Sequence, residues 1–97
     1  MATQNEWTSR QTVKQSDECA WQSIGGRMVI VYPREREIHR LNEVGSAIWQ
    51  WIEEPRTVAE IALRLADQFD VSKTVAAKDV GQFLAELLDK HLITVKA

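Results

Sequence analysis

Few residues in this sequence combine the type and spacing that chemistry demands. His39 and His91 stand apart from any cluster of potential ligands, whereas a structural zinc site needs four nitrogen or sulfur ligands held together. Cys19 is the sole cysteine, so neither an intrachain disulfide nor a redox pair can form. A Cys19–His39 nucleophilic pair across a sheet would still require an oxyanion site and a cleft, for which a chain of 97 residues has little room. Gly25-Gly26 is followed by no third glycine, no Gly-Lys-Ser/Thr and no helix, so it reads as a turn and not as a phosphate cradle. The carboxylate pairs Glu53-Glu54 and Glu35/Glu37 lie among arginines, the usual pattern of solvated charge. We therefore expect no catalytic residue, no metal, no cofactor and no enzymatic activity.

The bulk properties narrow the class further. Ninety-seven residues with 44% hydrophobic content make one small domain. Fourteen acidic and twelve basic side chains in mixed order give a net charge of −2, which lacks the basic footprint of a nucleic-acid binder. The opening MATQNEWTSRQTVKQSDE has no apolar core of signal-peptide length, and no run approaches the ~20 apolar residues of a membrane span. A cytoplasmic protein without a membrane or nucleic-acid partner is the expectation.

Residues 1–18 are polar and aperiodic and predict a flexible tail, with Trp7 touching the domain's own surface. Residues 19–97 then form the domain. CAWQSI and RMVIVYP flank Gly25-Gly26, a hairpin signal. Near-continuous apolar character over Met28–Tyr32 predicts a middle strand covered on both faces. Pro33 and the RERE run end it, and a third strand over Ile38–Leu41 is left with an unpaired edge.

Asn42 is the predicted N-cap of a first helix reaching about Ile52, with Val44, Ala47, Ile48, Trp51 and Ile52 on its apolar stripe and Trp49 at the border. Pro55 stops it. Thr57-Val58-Ala59-Glu60 is a capping box opening a second helix, whose inner face is Val58, Ile61, Ala62, Leu65 and Phe69. Ser72 caps a third, with Val80, Phe83, Leu84, Leu87 and Leu88 facing inward, and Leu92–Val95 reads as a terminal strand. The expected fold is α+β: a three-stranded antiparallel sheet followed by three helices, resembling a winged helix-turn-helix. That architecture raises the alternative of a DNA-binding transcription regulator. Against it, the third helix sets Lys73, Lys78 and Lys90 against Asp79, Glu86 and Asp89, and has no arginine.

The segment LNEVGSAIWQWIEEPRTVAEIALRLADQFDVSKTVAAKDVGQFLAELLDKHLI resembles the PqqD-like family, also called the RiPP recognition element. The similarity lies in LN, a small-residue helix, RTVAEI, an FDV turn and DV..FL..L...L, in that order over Leu41–Ile93. One departure is Glu53-Glu54-Pro55 before Arg56, where the family often has Asp-Gly. The resemblance implies a peptide chaperone that binds the leader of a ribosomally made precursor and presents it to a modifying enzyme, commonly a radical S-adenosylmethionine enzyme. It also implies that the leader adds as a strand beside the third strand, in the groove between that strand and the third helix. On this basis Glu37, Ile38, His39, Arg40 and Leu41 are expected to bind peptide through the free edge. Helical spacing adds Val75, Asp79, Gln82, Phe83 and Glu86 along one border of the third helix. Arg34, Arg36 and Arg40 would suit an acidic leader, and the same edge offers a second copy of the chain a pairing surface, hence a homodimer.

Overall fold

A computed structural model describes residues 7–8, 10–34 and 36–96. Its elements are β1 (Thr12–Gln15), β2 (Ala20–Ile24), β3 (Arg27–Tyr32), β4 (Glu37–Arg40), α1 (Glu43–Trp51), β5 (Arg56–Thr57), α2 (Val58–Phe69), α3 (Lys73–Asp89) and β6 (Ile93–Lys96). The strands make two antiparallel three-stranded sheets, in the orders β2-β3-β4 and β5-β1-β6. Among the described residues no helix is long and apolar enough to cross a membrane.

The first sheet is the expected meander. Gly25 and Gly26 both have positive φ, 62° and 83°, the left-handed pair a two-residue hairpin turn requires, and Ile24 opposes Arg27 across it. β3 is the middle strand, but its burial alternates: Met28, Ile30 and Tyr32 are buried while Val29 and Val31 are only half-buried. The expectation of cover on both faces is thus corrected, since only one face of this sheet packs on the core.

The helix caps follow their sequence signals. Asn42 Oδ1 accepts from Gly45 N at 2.8 Å. Thr57 and Glu60 form the reciprocal capping box at 2.8 and 3.1 Å. Ser72 Oγ accepts from Val75 N at 3.1 Å. At the far end of α3, His91 takes the left-handed conformation, φ 64°. Its N–H bonds Leu88 O and the Leu92 N–H bonds Leu87 O. That pair of bonds closes the last turn and sends the chain back into β6.

One expectation about the N-terminal part and one about α1 need correction. Residues 1–6 and 9 of the predicted tail lie outside the described residues, and Trp7 behaves as expected, its indole N–H donating to Gly81 O at 3.2 Å. Thr12–Gln15, however, is a strand and not tail: Val13 is fully buried, and β1 is the centre of the second sheet, pairing with β5 and β6. Four polar-flanked residues around one valine are too short for periodicity to register. β1 also alters the surroundings of α1, because Gln15 Nε2 donates to Trp49 O at 2.7 Å and Gln15 N to Ile52 O at 2.9 Å. With that end of α1 enclosed, Trp49 is wholly buried and not at a border. The core joins Val13, Met28, Ile30, Ile48, Trp49, Ile61, Leu84 and Leu92 from both sheets and all three helices.

Candidate functional site

Among the described residues β4 lies at one end of its sheet and pairs only with β3, in the register Val29↔Arg40, Ile30↔His39, Val31↔Ile38 and Tyr32↔Glu37. Leu41 N donates to Met28 O at 2.9 Å, which fixes the phase of the ladder. Hydrogen-bonded residues alternate in an antiparallel pair, so Leu41, His39 and Glu37 direct their backbone groups to β3. Ile38 and Arg40 direct theirs to the open side. Side chains follow the opposite logic: residues opposed across the pair share a face. Glu37, His39 and Leu41 lie on the core side with Tyr32, Ile30 and Met28, whereas Ile38 and Arg40 lie on the outer face with Val31 and Val29.

The junction from this strand to α1 is held by Ser46. Its hydroxyl accepts from Met28 N at 2.8 Å and donates to Leu41 O at 3.4 Å. A direct Met28 N–Leu41 O bond would complete the rung, and the buried serine relays it instead. The first turn of α1 is thereby stitched into the end of the β3–β4 ladder.

Between β4 and α3 runs a groove in two adjoining parts. One, of about 380 Å³, is bounded by Ile38, His39, Arg40 and Leu41 on the strand and by Phe83, Glu86, Leu87 and Lys90 on the helix. The other, of about 330 Å³, continues past the start of α1, between Val44 and Ile48 on one side and Asp79 and Gln82 on the other. Asn42, Phe83 and Glu86 border both. The Phe83 ring reaches α1 at Gly45, where a β-carbon would meet Cε1 and Cζ at 3.1 Å. Glycine here lets the ring close the wall between the two parts.

His39 is the polar group that stands out within the groove. Its side chain is 15% exposed, and Nε2 lies 3.3 Å from Glu37 Oε1. That approach is out of hydrogen-bond alignment, and the buried Nε2 has no hydrogen-bond partner among the described residues. Cys19 lies elsewhere, with Sγ 3.9 Å from Leu92 O. Burial pushes its thiol above the ordinary value, Ser16 opposes that through a hydrogen bond, and the Glu18 charge adds to it. The pairing of Cys19 with His39 weighed from sequence does not form. Cys19 opposes Tyr32 at the far side of β3, by continuation of the β2–β3 register.

Of the residues singled out from sequence, Ile38, His39, Arg40, Leu41, Asp79, Gln82, Phe83 and Glu86 border the groove. Glu37 adjoins it through His39. Val75 lies one turn before Asp79, exposed, outside either part. The groove also takes in Leu87 and Lys90, each four positions beyond a residue already chosen, which one more turn of helical spacing would have found. Gly45 and Leu92 carry no such signal, because their place depends on packing between distant segments.

A family model described as coenzyme PQQ synthesis protein D (PqqD) matches residues 27–93. No curated protein sequence matches the chain. Among solved structures, TbiB1 in complex with the TbiA(beta) leader peptide is similar with a TM-score of 0.77 and 28% identity, covering 82% of this chain and 93% of that one. Lasso peptide synthetase B1 complexed with the leader peptide has a TM-score of 0.76 and 21% identity, over 84% of this chain and 96% of that one. The PqqD truncation of Methylobacterium extorquens PqqCD, a stand-alone RiPP recognition element, has a TM-score of 0.76 and 18% identity, over 94% and 97%. At those identities the last two speak to the fold alone.

Proposed function

The chain belongs to the family described as coenzyme PQQ synthesis protein D (PqqD), and on that premise we propose that it binds the leader segment of a ribosomally synthesised precursor peptide as a strand added to β4. The observation that carries this reading is the open edge of β4 beside a groove walled by α3. Ile38 and Arg40 together present two N–H and two C=O groups to an incoming strand. Each bond made there contributes about 1 kcal/mol net, independent of peptide sequence, while alternate side chains of the peptide enter the groove and supply selectivity. The likeness to TbiB1, whose own structure is a complex with a leader peptide, supports leader binding.

Glu37, Ile38, His39, Arg40 and Leu41 form the strand side of this site, and Asp79, Gln82, Phe83 and Glu86 the helix side. Arg40 stands on the outer face beside the added strand and favours an acidic residue there. Arg34 is 3.7 Å from Glu18 and exposed, so it contributes little. The α2-turn-α3 unit behind the sheet is winged-helix-like, with α3 serving as a wall for peptide and not as a reader of duplex DNA. In this reading the chain performs no chemistry. It holds the leader in the cytoplasm while a separate modifying enzyme, of the radical S-adenosylmethionine class, acts on the remainder. A second copy pairing through β4 would compete with peptide for the same edge.

Calorimetric titration with leader segments of short precursors encoded beside this gene tests the reading. One peptide per chain, with dimer dissociating as peptide binds, is the expected result. Turnover of a precursor by the purified chain alone would overturn the non-catalytic part. Binding that survives blockage of the β4 edge would overturn the mode.

A further inference from the structure

The groove between β4 and α3 changes charge along its length. Its strand part is bordered by Arg40 and Lys90 against one carboxylate, Glu86. Its second part, past the start of α1, is bordered by Asp79 and Glu86 and by no basic residue. Both carboxylates belong to exposed residues, and among the described residues neither is in a salt bridge. Spacings of three and four put Asp79, Gln82, Phe83 and Glu86 on one face of α3. The two acids stand two turns apart, about 10 Å along the axis, with Gln82 between them. A cation at the level of Gln82 is therefore within a Debye length of both, ~10 Å at 0.1 M salt.

The facing wall is apolar. Val44 on α1 is half-buried, Ile48 lies one turn further along α1, and the partly buried Phe83 ring closes the end toward β4. Apolar walls bordered by exposed carboxylates suit a side chain with a hydrocarbon stem and a cationic head, which describes lysine and arginine. The Gln82 side-chain oxygen accepts from either head. The N-terminus of α1 also borders this part and favours the opposite sign, with about half a unit of positive charge. Asn42 Oδ1 already takes up Gly45 N at 2.8 Å, and Glu43 stands in that first turn. Two full carboxylates then decide the sign.

The next step rests on the strand-addition reading. A peptide bonded to Ile38 and Arg40 leaves β4 past Leu41, where the strand gives way to α1, and the two parts of the groove adjoin there at Asn42, Phe83 and Glu86. At about 3.3 Å per residue, its next few residues pass along the second part, whichever direction the peptide runs. We propose that this second part binds a lysine or arginine side chain of the peptide, a few residues beyond the segment paired with β4 on its Leu41 side, with Asp79 and Glu86 as the specificity-determining residues. The preferred peptide is defined by where its charge lies, and carries a basic residue at that flank even when its overall charge is acidic.

The test selects from a displayed library of random twelve-residue peptides with the intact chain and with the double variant Asp79→Asn, Glu86→Gln, which turns both exposed carboxylates into amides of the same shape. Hydrogen exchange then follows Ile38 and Arg40 of the chain and the amides of the selected peptides. With the intact chain, lysine or arginine should be enriched at a fixed distance beyond one end of the protected peptide segment. Changing that residue to methionine, which keeps an unbranched stem, should lower affinity about twofold to fivefold at low salt and less at high salt. With the double variant the enrichment should disappear and the same change should cost nothing. The salt series uses the intact chain alone, so the result does not depend on how the variant folds. Peptides that protect Ile38 and Arg40 without a basic preference beyond the paired segment, or with the same preference for both proteins, would overturn the assignment of Asp79 and Glu86 and leave strand addition standing. Selected peptides that protect neither amide would overturn both.

Discussion

Ser46 Oγ accepts a hydrogen bond from Met28 N at 2.8 Å, tying the first turn of a helix to the middle strand of a sheet. The chain passes from β4 to α1 through only Leu41 and Asn42, and this bond makes so short a junction rigid. The consequence reaches the groove. One wall is β4 and the other is α3, and Gly45, next to Ser46, is where the Phe83 ring of α3 meets α1. The serine therefore fixes the strand edge relative to the surface on which α3 rests.

Ser46→Ala should accordingly cost stability beyond the loss of one hydroxyl. It strands the buried Met28 N–H, and an unsatisfied buried donor costs about 1 to 3 kcal/mol. Denaturant unfolding monitored by circular dichroism checks this. A midpoint within error of the parent's would show that Met28 N finds another acceptor.

The register separates two proline substitutions. By alternation, the Arg40 N–H points to the open side and the His39 N–H to Ile30. Arg40→Pro should fold and lose about 1 kcal/mol of peptide affinity, roughly fivefold, beyond what Arg40→Ala loses. His39→Pro should lower the melting temperature by breaking a ladder bond. Glu37→Ala, which leaves the backbone intact, should affect binding less than Arg40→Pro. Calorimetry paired with thermal melts distinguishes the three.

On the opposite wall, Asp79 is exposed and borders the groove near α1. Asp79→Lys should move folding stability by no more than ~0.5 kcal/mol while changing peptide affinity and its salt dependence. Phe83→Ala should alter both. Its ring is only partly buried against the core, so the stability loss should fall below the ~3 to 5 kcal/mol of a fully buried phenyl ring. Equal effects of Asp79→Lys on stability and on binding would place Asp79 in a structural role.

Burial raises the Cys19 thiol above its ordinary value, which leaves less thiolate at a given pH. Iodoacetamide should therefore label the folded chain more slowly than the urea-unfolded chain between pH 7 and 8, where the thiolate is the reacting form. The same sign governs stability: the folded state holds this proton more tightly, so the contribution is intact below the unfolded value and lost as pH rises through the folded one. Labelling as fast as in urea would mean the thiol is solvated.

Capping chemistry made most of the helical layer legible in advance. Asn42, Thr57 with Glu60, and Ser72 each announce a helix start through a local bond that needs nothing distant. The Gly25-Gly26 hairpin is legible for the same reason. β1 was not, because Thr12–Gln15 becomes a strand only by pairing with β6, some eighty residues later, and with β5. Trp49 was misplaced as a result. In the groove, residues on one helix border were found by spacing, but the meeting of Phe83 with Gly45 was not, since it depends on how two helices approach. The orientation of the β4 amides likewise needed the observed register.

That orientation gives the central claim its most direct measurement: amide hydrogen exchange of the free chain and of the chain saturated with a leader peptide. In the free chain His39 and Leu41, bonded toward β3, should already be protected, while Ile38 and Arg40 exchange freely. On saturation Ile38 and Arg40 should become protected, with Asp79 to Lys90 showing accompanying amide-shift changes. Saturating peptide that leaves Ile38 and Arg40 exchanging as before would contradict strand addition at β4.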